Sequence, residues 1–180
     1  MSHFTIHNLD TVPEESKQTL EKVSKQFGMI PNLLGTLAEA PGILDGYLTL
    51  HQLFANSSFN AEELTVVWQT INVEHHCTYC VPAHTGIAHS MKVDPQITNA
   101  LRNKETMPNE KLQVLHETTL EMVRSRGNIT DEQMEKFFNA GFTQRQMLEI
   151  VLGLSQKVIS NYVNHLAKTP VDKVYEKFAW

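Results

Sequence analysis

The chain has 180 residues, of which 41% are apolar and 19% are charged, and its formal net charge is −5. This is the composition of a globular protein long enough to bury a core, and it predicts one domain over residues 1–180. No cluster of Lys and Arg points to a nucleic-acid partner, and no apolar run approaches the roughly 18 residues that a membrane-spanning helix needs.

The N-terminal part, residues 1–30, is predicted to be a helical extension of that domain. Residues 1–7 lack the basic start and the apolar run of a signal peptide, so we expect a cytoplasmic protein. Thr11, followed by Pro13 and two glutamates, indicates the cap and first turn of a helix. Gly28 marks its end, because glycine adopts the left-handed conformation of a helix C-terminus without strain.

Prolines and caps divide the next stretch into three predicted helices. Pro31 and Pro41 open candidate helices near 32–39 and 42–55. Asn60 is followed three residues later by Glu63, which is the spacing of a capping box. The helix that this cap begins carries apolar residues at helical spacing, namely Leu64, Val67, Trp68 and Ile71.

The second half of the chain is also predicted to be helical. A helix is expected over about 79–90, and Asp94 begins the next one. The stretch 109–125 has a helical pattern, Thr130 caps a short helix, and Thr143 caps a long one. That long helix is apolar over most of its circumference, so we expect it to be the central buried helix. Since no stretch alternates like a strand, the predicted fold class is all-α, a helical bundle.

The chain has two cysteines, Cys77 and Cys80, and they form a single C-x-x-C. A secreted disulfide scaffold would carry several cysteines at wide spacing. Closing so short a loop stabilises a fold very little, because it removes little entropy from the unfolded chain. We therefore interpret the pair as a redox or metal centre rather than as two inert buried cysteines.

Three features around the pair favour thiol chemistry. Cys80 and His84 are four residues apart, so on a helix the imidazole lies beside the thiol and can accept its proton. Pro82 suits the first turn of a helix, which places the C-x-x-C at a helix N-terminus, where the helix dipole favours a thiolate. The second cysteine is close enough to convert a sulfenic acid to a disulfide.

The same segment offers a zinc site as an alternative. His76, Cys77, Cys80 and His84 would supply two thiolates and two imidazoles. Zinc modules usually draw their ligands from two separate segments, whereas these four residues lie within nine positions. We expect no metal, and no organic cofactor either, because the chain lacks G-x-G-x-x-G and a P-loop.

Other residues have weaker claims on a site. Three histidines on helical stretches are interpreted as structural: His51, His116 and His165. Two more are interpreted as surface or pocket residues: His75 and His89. Three aromatic residues are candidates to line an apolar pocket, with a place in the core as the alternative: Phe59, Trp68 and Tyr79. A polar cluster is expected to join helices or subunits, with a pocket role as the alternative: Asn161, Tyr162, Asn164 and His165.

The motif Glu-x-x-Cys-x-Tyr-Cys-x-x-x-His, which runs from Glu74 to His84 after a capped apolar helix, resembles the alkylhydroperoxidase D-like (carboxymuconolactone decarboxylase) family. The later stretch resembles its peroxidase-related branch, with segments that begin at Asn139, Met147, Asn161 and Thr169. The resemblance covers roughly residues 30–175. It implies an all-helical AhpD-like fold and assembly as homotrimers, or as homohexamers built from them.

The resemblance also implies a cysteine peroxidase. In this family Cys80 would attack the peroxide and become a sulfenic acid, Cys77 would resolve it to a disulfide, and His84 would relay the proton from Cys80. An external dithiol, such as a lipoyl-bearing protein, would then reduce the disulfide. The decarboxylase branch lacks the cysteine pair, so we expect no lactone decarboxylation.

Two positions depart from the family pattern. The family's relay glutamate lies twelve residues before the first cysteine, where this chain has Thr65, and Glu63 two residues earlier points elsewhere on a helix. A histidine that some members carry between the cysteines is Tyr79 here. Glu74, three residues before Cys77, is a candidate for the missing acid. Its alternative is a solvated carboxylate at a helix end.

Three functions are consistent with these residues. The first is a thiol-dependent peroxidase of antioxidant defence that reduces organic peroxides or hydrogen peroxide. The second is a thiol–disulfide oxidoreductase or redox sensor that does not turn over peroxide, which the threonine at position 65 slightly favours. The third is a zinc-binding module, which requires both cysteines as thiolates.

Overall fold

A computed structural model describes residues 3–180 of the chain, and these residues form helices and no strand. The all-α prediction is confirmed. In chain order the helices are α1 (Glu14–Phe27), α2 (Asn32–Leu37), α3 (Pro41–Ala55), α4 (Ala61–Glu74), α5 (Cys80–Ser90), α6 (Pro95–Asn103), α7 (Glu110–Ser125), α8 (Asp131–Asn139) and α9 (Gln144–Ala167), followed by a 3-10 helix (Lys173–Phe178). None of the helices in this part of the chain is long and apolar enough to cross a bilayer.

Side-chain caps fix where several of these helices begin. The Asn60 side chain accepts a hydrogen bond from the backbone N–H of Glu63, and the Glu63 carboxylate accepts one from the backbone N–H of Asn60, both at 3.0 Å. This is the predicted capping box, and α8 and α9 begin with the same arrangement. Thr11 does not cap α1, because its hydroxyl accepts a hydrogen bond from the N–H of Asn8 in the preceding turn.

The central buried helix is α4, and the prediction that α9 has this place is wrong. Every residue from Glu63 to Val73 is buried, since α4 packs against α5, α6, α7 and α9. One face of α9 is buried as well, but its opposite face exposes four apolar side chains, at Leu148, Val151, Tyr162 and Leu166. The apolar residues of α9 therefore lie on two faces of the helix, and only one of these faces packs inside the chain.

The buried apolar residues form two clusters. One lies around α4, α6, α7 and α8 and includes Trp68, Leu115 and Phe137. The other joins α1, α2 and α3 to the C-x-x-C segment and includes Leu20 of α1 together with Cys77. The N-terminal helix thus packs into the same cluster as the cysteines, and it helps to shield them from water.

A glycine allows α3 and α9 to approach closely. A Cβ atom at Gly153 of α9 would lie 2.8 Å from the ring of Phe54, a side chain of α3 that is 0% exposed. Real Cβ atoms do not come so close to neighbouring atoms. The contact between α3 and α9 brings the residues of one wall of the functional site together.

Candidate functional site

The C-x-x-C lies in the turn between α4 and α5. His76 takes a left-handed conformation with φ of 53°, which turns the chain after α4, and the N–H of Cys77 donates to the carbonyl of Asn72 at 3.0 Å. Cys80 is the first residue of α5, as predicted. The two thiols are 0% and 2% exposed, so the turn buries both of them.

Two donors converge on the sulfur atoms. The backbone N–H of Cys80 donates to Sγ of Cys77, and Nδ2 of Asn164 on α9 donates to Sγ of Cys80, each at 3.2 Å. Burial by itself would raise the pKa of the Cys80 thiol, but hydrogen bonding with Cys77, the charge of Lys157 and the amide of Asn164 together lower it to about 6. These contacts favour the thiolate at Cys80 rather than at Cys77.

The pKa of Cys77 is shifted in the opposite direction from that of Cys80. Its hydrogen bond with the Cys80 sulfur, followed by burial, raises the pKa of the Cys77 thiol above the usual range. A thiolate attacks electrophiles, whereas a thiol does so poorly. The surroundings thus support the expectation that Cys80 is the nucleophile and Cys77 the resolving cysteine.

A buried lysine on α9 contacts the predicted catalytic histidine. Lys157 is 1% exposed, and its Nζ donates to Nε2 of His84 at 2.9 Å. Burial, followed by the charge of Lys157, holds the pKa of His84 well below its usual range. His84 is therefore neutral, with Nε2 as the acceptor and the proton on Nδ1.

Aromatic rings from α3 and α4 form the wall behind this pair. The ring of His51 stacks on Trp68 with centroids 5.6 Å apart, and Trp68 lies 4.9 Å from the ring of His84. Burial, followed by the charge of Lys157, lowers the pKa of His51 to about 4. His51 was expected to be structural, but it lines the site as a neutral imidazole.

Cys80 opens onto a cavity of about 580 Å³, and Cys77 is not among the residues that line it. The lining is mainly apolar, with side chains such as Leu33, Leu48 and Ile87, and it contains no Asp or Glu among the described residues. The 3-10 helix covers one side, where the ring of Tyr175 lies so close to α5 that a Cβ at position 86 would approach it to 2.6 Å.

The structure brings three of the four predicted site residues together, namely Cys77, Cys80 and His84, and it places Glu74 elsewhere. The Glu74 carboxylate is held by the guanidinium of Arg124 on α7 through two hydrogen bonds of 2.7 and 3.0 Å, and it does not line the cavity. The hydrogen bond from Arg124 lowers the pKa of Glu74. The alternative reading of Glu74, a carboxylate at a helix end, fits this position.

Neither position 65 nor Glu63 supplies a relay carboxylate to the site. The Thr65 hydroxyl donates to the carbonyl of Ala61 within α4. Glu63 is occupied by its capping box and by an ion pair with Lys111 at 2.8 Å. Glu63 does not line the cavity, in agreement with the expectation that it points away from the site.

The polar cluster of α9 divides between the site and the surface. Asn164 reaches Cys80, and Asn161 donates to the side chain of Asn72 at 3.0 Å, so these two amides face the interior. Tyr162 and His165 are exposed. Among the aromatic candidates, Tyr79 lines the cavity, while Phe59 belongs to the other apolar cluster.

The four residues of the zinc alternative do not form a ligand set. His76 is exposed and stacks on the ring of Trp180, while Nε2 of His84 is taken by Lys157. Within residues 3–180, no group of three or more His, Cys, Asp or Glu side chains is placed to hold a metal ion.

Sequence reasoning missed Lys157 and singled out Asn164 only as part of a cluster. Lys157 is 73 residues from its partner His84, so no local spacing connects them. One signal was present, since Lys157 lies within an otherwise uncharged run of α9, from Ile150 to Val163. A lone cation in such a run marks a side chain with a specific buried partner.

No protein-family model matches the sequence, and no curated protein matches it either. A peroxidase-related protein from Ralstonia eutropha JMP134, described as an alkylhydroperoxidase AhpD core, matches with a TM-score of 0.84 and 18% identity over 97% of this chain and 94% of that one. A peroxidase-related protein from Silicibacter sp. TM1040 matches with a TM-score of 0.81 and 20% identity over 96% and 92%.

A third solved structure has a described activity. The debrominase Bmp8, in complex with 2,3,4-tribromopyrrole, matches with a TM-score of 0.79 and 14% identity over 98% of this chain and 97% of that one. At these identities the matches establish the arrangement of the helices. Together with the C-x-x-C at the start of α5, they show that the chain has the AhpD-like helical fold that its motif predicted.

Proposed function

We propose that this chain is a cytoplasmic thiol-dependent peroxidase that reduces organic hydroperoxides, and also hydrogen peroxide, through a disulfide between Cys77 and Cys80. The observation that carries the proposal is the different placement of the two sulfur atoms. Cys80 lines an apolar cavity of about 580 Å³, while Cys77 lies buried behind it, within hydrogen-bonding distance of Cys80. Pockets of this size and character bind small organic molecules.

The proposed reaction begins with the Cys80 thiolate. It attacks the terminal oxygen of the hydroperoxide, so that an S–O bond forms, the O–O bond breaks and an alkoxide leaves. The thiol of Cys77 then attacks the sulfenic acid of Cys80, an S–S bond forms, and the sulfenic oxygen leaves as water. The two cysteines supply the two electrons that reduce the peroxide, and His84 supports the transfer of a proton to the leaving oxygen.

An external dithiol must reduce the disulfide to complete the cycle. Because the thiols are 0% and 2% exposed, a slender dithiol such as a lipoyl arm suits the cavity better than a cysteine on a flat protein surface. The same burial makes direct thiol–disulfide exchange with a folded protein the weaker function. Zinc binding is weaker still, because His76 is exposed and stacks on Trp180, and Nε2 of His84 is taken by Lys157.

The likeness to Bmp8 favours reductive dehalogenation as a second candidate. A thiolate beside an apolar cavity is suited to a halogenated aromatic ring as well as to an organic peroxide. The two electrons of the cysteine pair would then replace a carbon–halogen bond by a carbon–hydrogen bond, with release of halide. Bromide release from 2,3,4-tribromopyrrole in the presence of dithiothreitol tests this candidate.

The peroxidase proposal is tested by the consumption of cumene hydroperoxide with excess dithiothreitol. We expect Cys80→Ser to abolish consumption. Cys77→Ser should consume one equivalent of hydroperoxide rapidly and then turn over slowly. His84→Ala should reduce the rate by about 10²-fold or more, the usual contribution of a proton-transfer group. Glu74→Gln serves as the control and should retain activity. Consumption by the wild type no faster than that by dithiothreitol alone would overturn the proposal.

A further inference from the structure

Lys157 is a buried amine, and no carboxylate among the described residues pairs with it. Burial lowers the pKa of Lys157, and the negative charge of Cys80 opposes that shift. Lys157 is 1% exposed, and the contact of its Nζ within the described chain is the imidazole of His84, which is neutral. Water solvates an ammonium ion strongly, so a buried one needs a nearby negative charge. That charge has to come from a residue around the cavity.

The inner wall offers few ionisable groups. From α3, His51 is neutral because its pKa is about 4, and burial, followed by the charge of Cys80, raises the pKa of Tyr47 so that it remains a phenol. In the turn before α5, the hydroxyl of Tyr79 donates a hydrogen bond to the carboxylate of Asp172 at 2.5 Å. That carboxylate also accepts from the N–H of Asn32 and does not line the cavity.

The mouth of the cavity offers no anion either. His89 of α5, Tyr175 and Lys177 line it there, and none of these carries a negative charge at neutral pH. Cys77 remains a thiol because its pKa is raised. Lys157 and Cys80 line the same cavity, and the Cys80 thiolate is the anion among its described lining residues that the charge of Lys157 stabilises.

We propose that Lys157 is the proton donor of the site: its ammonium pairs with the Cys80 thiolate and protonates the alkoxide that leaves when this thiolate cleaves a hydroperoxide. The inference rests on the proposed peroxidase function. It assigns to a lysine on α9 the proton transfer for which position 65, with its threonine, provides no carboxylate. His84 holds the lysine in place by accepting its hydrogen bond at 2.9 Å.

The proton balance closes over one cycle. Attack by the thiolate gives the sulfenic acid and an alkoxide, and Lys157 donates a proton to the alkoxide, leaving an alcohol and a neutral amine. Formation of the disulfide releases water, and the external dithiol then returns both cysteines as thiols. The Cys80 thiol finally gives its proton to the amine of Lys157, which restores the ion pair of thiolate and ammonium.

The first measurement separates charge from structure. The alkylation rate of Cys80 by iodoacetamide is followed against pH in the reduced protein, with the alkylated peptide identified by mass spectrometry. We expect Lys157→Met to raise the midpoint from near 6 by a unit or more. Lys157→Arg, which keeps the positive charge, should restore a low midpoint. Lys136→Met, at an exposed lysine of α8, is the matched control and should leave the midpoint unchanged.

The second measurement tests proton donation itself. Two oxidants are compared at a pH where Cys80 is fully ionised: cumene hydroperoxide, which releases an alkoxide, and peracetic acid, which releases a carboxylate that needs no proton. We expect Lys157→Met to slow the reaction with cumene hydroperoxide by about 10²–10⁴-fold and the reaction with peracetic acid far less. Lys157→Arg should show the same selective loss, because a guanidinium does not give up its proton.

The outcomes distinguish this inference from the proposed function. If the wild type reduces hydroperoxide but the Lys157 variants lose the same factor with both oxidants, the proton-donor role is overturned and the peroxidase stands. If the wild type reduces neither oxidant, the peroxidase is overturned and the donor role falls with it. Circular dichroism and the melting temperature establish that each variant is folded, and Lys157→Arg provides the test if Lys157→Met does not fold.

Discussion

Cys77 and Cys80 carry the same thiol three positions apart, yet their surroundings give them opposite acidities. The Cys80 sulfur is at the N-terminus of α5, faces the charge of Lys157 and accepts a hydrogen bond from Asn164. The sulfur of Cys77 is fully buried, away from the cavity. These individual contacts support the proposed roles of Cys80 as nucleophile and Cys77 as resolving cysteine.

The Asn164 amide is expected to contribute measurably to this acidity. Its Nδ2 donates to the Cys80 sulfur at 3.2 Å, and a hydrogen bond to a charged group is worth about 1.5–3 kcal/mol. In Asn164→Ala we expect the pKa of Cys80 to rise from about 6 by roughly one unit, since one unit corresponds to about 1.4 kcal/mol. Because the thiolate is the reactive form, the rate should fall at pH 6 and stay nearly constant at pH 9.

The rate of alkylation by iodoacetamide against pH is the measurement for this prediction. In the wild type the rate should decline as the pH falls through about 6, because Cys80 then takes up a proton. Asn139→Ala, at an exposed asparagine that ends α8, is the control and should follow the wild-type curve. An identical pH midpoint in Asn164→Ala and the wild type would contradict the prediction.

The sequence predicted those site residues that lie close together along the chain. The interval from Cys80 to His84 is one helical turn, so their shared face follows from local geometry. Asn164 and Lys157 lie 84 and 73 residues from the side chains that they contact, and such contacts depend on how α9 packs. Glu74 was a candidate because of its place in the sequence, but a partner on α7 holds it outside the cavity.

At the scale of elements, the cavity is completed by the C-terminal segment, which no sequence pattern predicted to be helical. The guanidinium of Arg102 on α6 anchors this segment by donating to the carbonyls of Phe178 and Ala179, at 2.9 and 2.8 Å. It also donates to the hydroxyl of Thr85 on α5 at 3.1 Å. One side chain therefore ties the 3-10 helix to two helices beside the site.

Arg102→Ala is expected to loosen this cover without unfolding the chain. Loss of the hydrogen bonds from a charged donor, worth about 1.5–3 kcal/mol, should speed amide exchange in residues 173–180 by roughly tenfold or more. Hydrogen–deuterium exchange measures this directly, and KM for cumene hydroperoxide should change more than kcat. Arg145→Ala, which removes an exposed ion pair on α9, is the control. Unchanged exchange in the terminal segment would show that Arg102 is not its anchor.

Helix boundaries were predictable because caps are local, whereas the placement of each helix was not. Asn60, Thr130 and Thr143 begin their helices as predicted, since the capping hydrogen bonds join residues three positions apart. Thr11 has the same chemistry but bonds within the preceding turn instead. The composition of α9 gave the wrong prediction of a central helix, because an apolar surface buried inside the chain and one left outside it look alike in a sequence.

At the scale of the whole molecule, the outer face of α9 carries a stripe of apolar side chains. Leu148, Val151, Tyr162 and Leu166 are 46–70% exposed. Successive members are 3, 11 and 4 residues apart, and each of these spacings returns to the same face of the helix. Large apolar side chains grouped along one exposed face are typical of a surface that binds another protein. The stripe is a candidate contact surface for the proposed homotrimer or homohexamer, in which α9 would act both in the site and between subunits.

Leu166→Glu is expected to disrupt this assembly. The substitution places a charge within the apolar stripe, at a side chain that is 67% exposed in the single chain. In the proposed assembly this carboxylate would be buried between subunits without a partner and would lose its hydration. Sedimentation velocity should show the wild type as an oligomer of the 20.5 kDa chain and the variant shifted towards the monomer. Gln18→Glu, which adds the same charge at an exposed position of α1, should keep the wild-type oligomeric state.

Since Asn164 and Lys157 project from the opposite face of α9, an assembly that steadies this helix should also steady the thiolate. The monomeric variant is therefore expected to lose peroxide turnover along with its subunits, and a fully active monomer would separate the two roles of α9.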